Sequence, residues 1–181
     1  GAHVILEPVG RNTAPAIALA AQYCQEIMKA QPEEVLFVAP SDHIVRQRDL
    51  FIKAVRQGEK LAQQDKLVTF GIVPDKPETG YGYIEAGESY DSGFVVNSFK
   101  EKPDLATAET YVASGKYYWN SGMFAFTAEH MKQALKAYQP EISDLLQHGY
   151  KKALDVFAEM PDISLDYALA EKSKEGVTVP L

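Results

Sequence analysis

Thr69 to Ile84 reads TFGIVPDKPETGYGYI, and the rest of the chain is organised around this stretch. Leu67 to Val73 is rich in β-branched and aromatic residues, the composition of a strand. Pro74 to Thr79 interrupts it, and Gly80-Tyr81-Gly82-Tyr83-Ile84 resumes an extended run whose glycines leave the backbone uncovered. Such a turn lets a small ligand approach the main chain. Alone, however, a G-x-G in a strand reads more readily as a bulge or hairpin that relieves backbone strain. The neighbouring segments decide between the two.

Towards the amino terminus, His3 to Leu6 has the pattern of a short strand and leads into the loop Glu7-Pro8-Val9-Gly10-Arg11-Asn12-Thr13. A helix follows, with Asn12 or Thr13 as N-cap, Pro15 in its first turn, and Ile17, Ala18, Ala21, Cys24 and Met28 at helical spacing. Val35 to Ala39 is a continuous apolar run, the pattern of a strand covered on both faces. From Asp49 to Gln64, Phe51, Ala54, Val55, Leu61 and Ala62 form the apolar stripe of a second helix. The order strand, helix, strand, helix, strand predicts an α/β fold: a Rossmann-like, mostly parallel sheet with helices on both faces.

Beyond the opening stretch, Gly93 to Glu101 reads as extended, and a helix reaches Ser114 with Gly115 closing it. Tyr117 to Phe126 is an aromatic strand. Thr127 caps a helix carrying Met131, Leu135 and Tyr138, and Pro140 opens a helical region through Phe157. Ser164 to Lys172 reads as one more short helix, and Val177 to Val179 as the start of a strand.

A length of 181 residues suits one core of ordinary size, so residues 1–181 are expected to form a single domain. The hydrophobic fraction of 46% and charged fraction of 24% are those of a globular chain and argue against disorder. The net charge of −7 argues against nucleic acid as a partner, because a phosphate backbone demands clustered Lys and Arg. No apolar run approaches the roughly 20 residues that cross a bilayer, and the amino terminus lacks a secretory layout, so no membrane partner is expected. The one cysteine, Cys24, cannot form an internal disulfide and reads as a small core residue in a reducing compartment, the cytoplasm.

In an open α/β sheet, ligands sit beyond the carboxyl ends of the strands, and four loops there carry chemistry. Glu7, Arg11, Asn12 and Thr13 stand at a helix amino end, where free N–H groups favour anions; a capped helix with a surface arginine is an equal reading. Asp42 follows the most apolar strand and can give one oxygen to Mg²⁺, with phosphates and water completing the shell; a turn aspartate is the commoner fate. His43 reads as its hydrogen-bonding neighbour, since His3, His130 and His148 show no zinc-like spacing. Glu101 and Lys102 pair an acceptor for sugar hydroxyls with a point charge for phosphate, or form a solvated run at a strand end. Asn120, between Trp119 and Ser121, can hydrogen-bond a sugar or satisfy a nearby backbone group. No serine lies in G-x-S-x-G and no G-x-x-x-x-G-K occurs, so neither a serine nucleophile nor a Walker-type loop is indicated.

Five segments, in order, resemble the bacterial mannose-1-phosphate guanylyltransferases, also called GDP-mannose pyrophosphorylases, among the sugar-nucleotide nucleotidyltransferases. They are EPVGRNTAPAIALAA (Glu7–Ala21), APSDH (Ala39–His43), TFGIVPDKPETGYGYI (Thr69–Ile84), FKEKPD (Phe99–Asp104) and YYWNSGMFAF (Tyr117–Phe126). SLDYALAEK (Ser164–Lys172) resembles a sixth. The set spans nearly the whole chain and is far more specific than any member.

The resemblance implies the nucleotide-diphospho-sugar transferase fold, GTP and mannose 1-phosphate as substrates, Mg²⁺ as cofactor, and GDP-mannose and pyrophosphate as products for polysaccharide synthesis. It implies that Glu7, Arg11, Asn12 and Thr13 contact guanosine and that Asp42 holds the metal. Tyr81 and Gly82 would offer backbone to the sugar nucleotide, Glu101 would take mannose hydroxyls, Lys102 the sugar phosphate, and Asn120 the sugar. Asp42 and Lys102 are thereby the catalytic candidates. The family's triphosphate loop is expected before Gly1 and a second metal-binding aspartate after Leu181, so residues 1–181 alone are expected to be inactive and truncated at both ends. A sheet lacking its first strand leaves room for a partner chain, as in a homo-oligomer. Two alternatives are weighed: uridylyl or thymidylyl transfer to another hexose 1-phosphate, which the RNTAPA loop disfavours, and a non-catalytic sugar-nucleotide-binding subunit.

Overall fold

One long strand, β5 (Tyr117–Thr127), organises the sheet because three different strands pair with it along its length. The computed structural model describes residues 1–181. Its elements run α1 (Thr13–Glu26), β1 (Val35–Val38), α2 (Arg48–Ala62), β2 (Leu67–Ile72), β3 (Tyr83–Tyr90), β4 (Gly93–Lys100), α3 (Leu105–Ser114), β5, α4 (Ala128–Tyr138), α5 (Pro140–Leu146), α6 (Tyr150–Asp155) and β6 (Gly176–Pro180). A 3₁₀ turn at Phe157–Glu159 and a π-helical turn at Asp166–Ala170 lie between α6 and β6.

The chain divides into two compact units. Gly1–Leu36 with Thr127–Ser173 is helical, its core built from Leu19, Met131, Ile142, Phe157, Met160 and Leu165. Phe37–Phe126 with Lys174–Leu181 carries nearly all of the sheet, together with α2 and α3. There, Phe37 meets Phe51 of α2 and Phe70 of β2 edge-on, and Phe70 is fully buried.

The six strands lie in the order β1-β5-β2-β6-β4-β3, and β5 also pairs with β3. The fold is mixed α/β, as the residue pattern indicates, but the expectation of a mostly parallel sheet is corrected. Pairings β2–β5, β3–β4, β3–β5 and β4–β6 are antiparallel, while β2–β6 is parallel. The reason is in the connections. Alternation of strand and helix indicates the direction of each strand but not which strand inserts beside it, and β5 enters between β1 and β2. Between β3 and β4 only Asp91 and Ser92 intervene, and so short a link cannot return a parallel strand.

Other expectations are also corrected. His3–Leu6 pairs with no strand, and Val4 and Leu6 are exposed, so an apolar pattern without a ladder partner does not become a strand. β1 is half-exposed, an edge strand and not one covered on both faces. Helix α1 stops at Glu26, which leaves Met28 outside it and exposed, while Cys24 is half-buried with its thiol raised by burial and then by the Glu34 carboxylate. The helical region opened by Pro140 breaks into α5 and α6 at Gly149, whose φ of 90° a helix does not adopt. Helix α3 ends as its sequence indicates, at Gly115 with φ 66°, and begins at a cap outside the sequence expectations, where the Asp104 carboxylate accepts from Thr107 N–H at 2.8 Å.

Gly71 packs tightly against β5. A Cβ there would lie 2.6 Å from Tyr118 Cβ and 3.0 Å from Thr178 Oγ1. Substitution Gly71→Ala is therefore expected to destabilise by roughly 1–3 kcal/mol through overpacking, read as a lower urea midpoint at unchanged slope. The Thr107 N–H bond holds the Asp104 carboxyl below its ordinary range, so the cap's contribution is full above the unfolded pKa and is lost as pH falls through the folded one. The stability gap between the parent and Asp104→Ala should accordingly be widest near neutrality and close as pH drops below about 4, checked by denaturant titrations across pH.

Candidate functional site

The ladders that β5 makes with β3 and β2 meet at Trp119 and Asn120. Tyr117, Tyr118 and Trp119 pair with Glu85, Ile84 and Tyr83 of β3, while Trp119 and Asn120 lie opposite Ile72 and Gly71 of β2. Because β2 ends and β3 begins at this point, the segment joining them, Val73 to Gly82, has to pass beside it. Asn120 N–H donates to Gly82 C=O at 2.8 Å, and the Tyr81 ring meets Trp119 edge-on at 5.4 Å. Below the junction the β2–β5 register shifts between Thr69 and Gly71, and the Ser121 hydroxyl donates to the Phe70 carbonyl there.

A cavity of about 940 Å³ opens against this junction, within the range that holds drug-sized ligands. Asp42, Tyr81 and Asn120 line it together, with Lys53 and Gln57 of α2 as further polar groups. Much of the wall is apolar: Phe51, Ile72, Trp119, Met123 and Leu181. Antiparallel pairing sets Lys100 opposite Tyr83, so Glu101 and Lys102 leave β4 at the level of Gly82 and Tyr81. Both are exposed and neither lines the cavity.

The remaining sequence-predicted residues belong to the helical unit. Glu7 is exposed. The Arg11 guanidinium donates to the Ala158 carbonyl, while its Nε is buried without a hydrogen-bond partner. Asn12 accepts from Thr13 N–H at 2.9 Å and holds φ 63°, ψ −171°, a conformation reached almost solely by glycine, which stores about 1–3 kcal/mol of strain. The Thr13 hydroxyl accepts from Leu165 N–H at 2.8 Å. This loop is thus held by its own unit. Asn120 also has a local duty, since its Oδ1 accepts from Gly122 N–H at 3.1 Å in a turn where Gly122 takes φ 68°.

Asp42 stands at a turn with an 86% exposed side chain, and His43 Nε2 lies 4.0 Å from its Oδ1. No group of three or more His, Cys, Asp or Glu side chains gathers into a cage. The donor set therefore does not match a zinc site. It does fit one carboxylate ligand of Mg²⁺, an ion that commonly keeps waters and substrate phosphates in its other positions.

The aromatic and aliphatic wall is not legible in the sequence as a ligand surface. Phe51 and Ala54 announce themselves as a buried stripe, and helical spacing cannot say that part of that stripe faces a cavity. Trp119 carries a subtler signal: it is only 8% exposed, yet its indole N–H has no hydrogen-bond partner, which is rare for a buried donor.

The sequence pattern described as nucleotidyl transferase matches residues 2–163. The chain belongs to the nucleotidyl transferase family. Among proteins of this kind it is 47% identical, over 98% of its length, to the xanthan biosynthesis protein XanB of Xanthomonas campestris, and 45% identical, over 99%, to the mannose-1-phosphate guanylyltransferase of Escherichia coli K12. It spans about two fifths of the length of these curated relatives, 39% and 40% respectively. Two solved structures share the fold over 97% of the chain. One is named mannose-1-phosphate geranyltransferase, from Thermus thermophilus, with TM-score 0.89, 32% identity and 52% of that chain covered. The other is named mannose-6-phosphate isomerase, from Helicobacter pylori, with TM-score 0.80, 33% identity and 70% covered. No helix is long and apolar enough to cross a membrane.

Gly82 differs from Gly71 in what surrounds it. A Cβ at Gly82 would meet Lys100 C=O at 3.5 Å and Asn120 Cβ at 3.9 Å, ordinary contacts. The fold by itself does not demand glycine at this position. Gly82→Ala should keep the thermal midpoint within about 2 °C of the parent in a scanning experiment, in contrast to Gly71→Ala.

Proposed function

We propose that the protein transfers a guanylyl group from GTP to mannose 1-phosphate, giving GDP-mannose and pyrophosphate. The observation that carries this reading is 45% identity along 99% of the chain to an enzyme named for that activity. The names of the Thermus and Helicobacter structures also include a mannose phosphate, so the sugar phosphate is the common element. Isomerisation, named for the Helicobacter protein, is the weaker reading, because a nucleotidyl transferase pattern matches residues 2–163.

In this reading the ionised phosphate of mannose 1-phosphate attacks the α-phosphorus of GTP. A P–O bond forms at that phosphorus while its bond to the bridging oxygen breaks, and pyrophosphate leaves. The nucleophile is already anionic near neutral pH, so no general base is needed. The requirements are alignment and neutralisation of charge. Tyr81 and Gly82 present backbone to the sugar nucleotide, and the absence of a Cβ at Gly82 lets it come close. Asn120 and Glu101 take mannose hydroxyls, and Lys102 meets the sugar phosphate as a point charge. Glu7, Arg11, Asn12 and Thr13 meet the guanosine part. Asp42 is the residue that would hold a divalent ion, which when bound offsets phosphate charge.

Pyrophosphate release by the full-length protein tests the reading. GTP with mannose 1-phosphate is expected to support turnover well above UTP or dTTP with glucose 1-phosphate; isomerisation of mannose 6-phosphate without nucleotide turnover would overturn it. Asp42→Asn should cut kcat at least about a hundredfold, and chelation should abolish turnover until Mg²⁺ is restored. Gly82→Ala, with its fold intact, should weaken GDP-mannose binding in calorimetry by roughly tenfold or more.

A further inference from the structure

The segment Val73 to Gly82 has no regular secondary structure, yet its backbone is held at several points by Glu78 and Tyr83. Tyr83 is fully buried, packed with Ala108 and Trp119, and so is anchored in the sheet. Its hydroxyl accepts from Glu78 N–H at 3.0 Å and donates to Glu78 C=O at 2.8 Å. One buried phenol thus takes both backbone polar groups of a single loop residue. The Glu78 carboxylate in turn accepts from Thr79 N–H at 3.1 Å and Gly80 N–H at 3.2 Å, and its other oxygen lies 3.3 Å from Lys76 Nζ. The Gly80 N–H first, and Lys76 after it, hold this carboxyl below its ordinary range, so the acceptor is charged at neutral pH.

Three consecutive residues, Glu78 to Gly80, are pinned in this way, and the Gly82 carbonyl is held by Asn120 N–H. Between them Tyr81 leans on Trp119 at the cavity. A glycine-flanked segment has many accessible conformations, and leaving it free would add the entropy of ordering it to the cost of ligand binding.

We propose that Glu78 and Tyr83 are positioning residues, a brace that presets the Gly80–Gly82 backbone for the sugar half of the reaction without touching substrate. This inference rests on the reading above in which Tyr81 and Gly82 face the sugar nucleotide. It separates these two residues from a loop staple that serves stability alone, because a brace acting on one side of the site raises the KM of one substrate only.

The test uses the full-length protein and the variants Glu78→Ala, Glu78→Gln and Tyr83→Phe. Glu78→Ala is expected to raise KM for mannose 1-phosphate roughly tenfold while leaving KM for GTP within about twofold, and to speed hydrogen exchange at the Thr79 and Gly80 amides. Glu78→Gln, which keeps an acceptor oxygen, should recover most of the loss. Tyr83→Phe keeps the buried ring and deletes the hydroxyl, so it should reproduce the selective rise in KM even if Glu78→Ala folds poorly. An unchanged sugar KM in an active Glu78→Ala or Tyr83→Phe enzyme overturns the inference alone, as does an equal rise in both KM values. Absence of parent turnover with GTP and mannose 1-phosphate overturns the functional reading, and the inference with it.

Discussion

The structure around the cavity depends on one strand, β5, that serves both β2 and β3 as well as β1. β5 gives its first residues to β3 and its later ones to β2, with the change at Trp119 and Asn120. A strand has one backbone and a hydrogen bond needs close alignment, so neither β2 nor β3 can move without breaking a ladder. The segment between β2 and β3 is consequently delivered to a set place. Gly71 permits the close approach of β5, and the Asn120 N–H to Gly82 C=O bond ties the far end of the segment down.

The chemistry available there is sparse, and nucleotidyl transfer asks for little more. A chain of net charge −7 is a poor general attractor for phosphates, so under the proposed function binding would rest on local cations, Lys102 among them, and on any ion held through Asp42. Apolar walls serve the same end. Trp119, Phe51 and Met123 lower the local polarity and so lengthen the reach of each charge and dipole in the cavity.

Much of this is legible in the chain. The helix caps at Asn12 and Thr127 and the closing Gly115 act through their nearest neighbours, and all three stand at the positions that the residue pattern indicates. Asp42, Tyr81 and Asn120 come together at one cavity, although they lie far apart in sequence. The direction of β5 relative to its neighbours is not legible, because an apolar pattern encodes which face is covered, not which neighbour covers it. Likewise His3–Leu6 has the composition of a strand and lacks a ladder partner, and composition alone supplies no hydrogen bonds.

The sequence by itself determined most of the local elements, the family, and the short motifs that hold the candidate site residues, because capping, turn chemistry and motif spacing are written within a few positions of one another. Tertiary structure alone decided that β5 would divide its ladder, that the segment Val73 to Gly82 would cross at that division, and that Tyr83 would reach back to Glu78. The first two outcomes depend on pairing between residues tens of positions apart, and the third on the place which that pairing gives the segment. Such pairing is chosen by the total of packing and hydrogen bonding across the sheet, and no local pattern records that total.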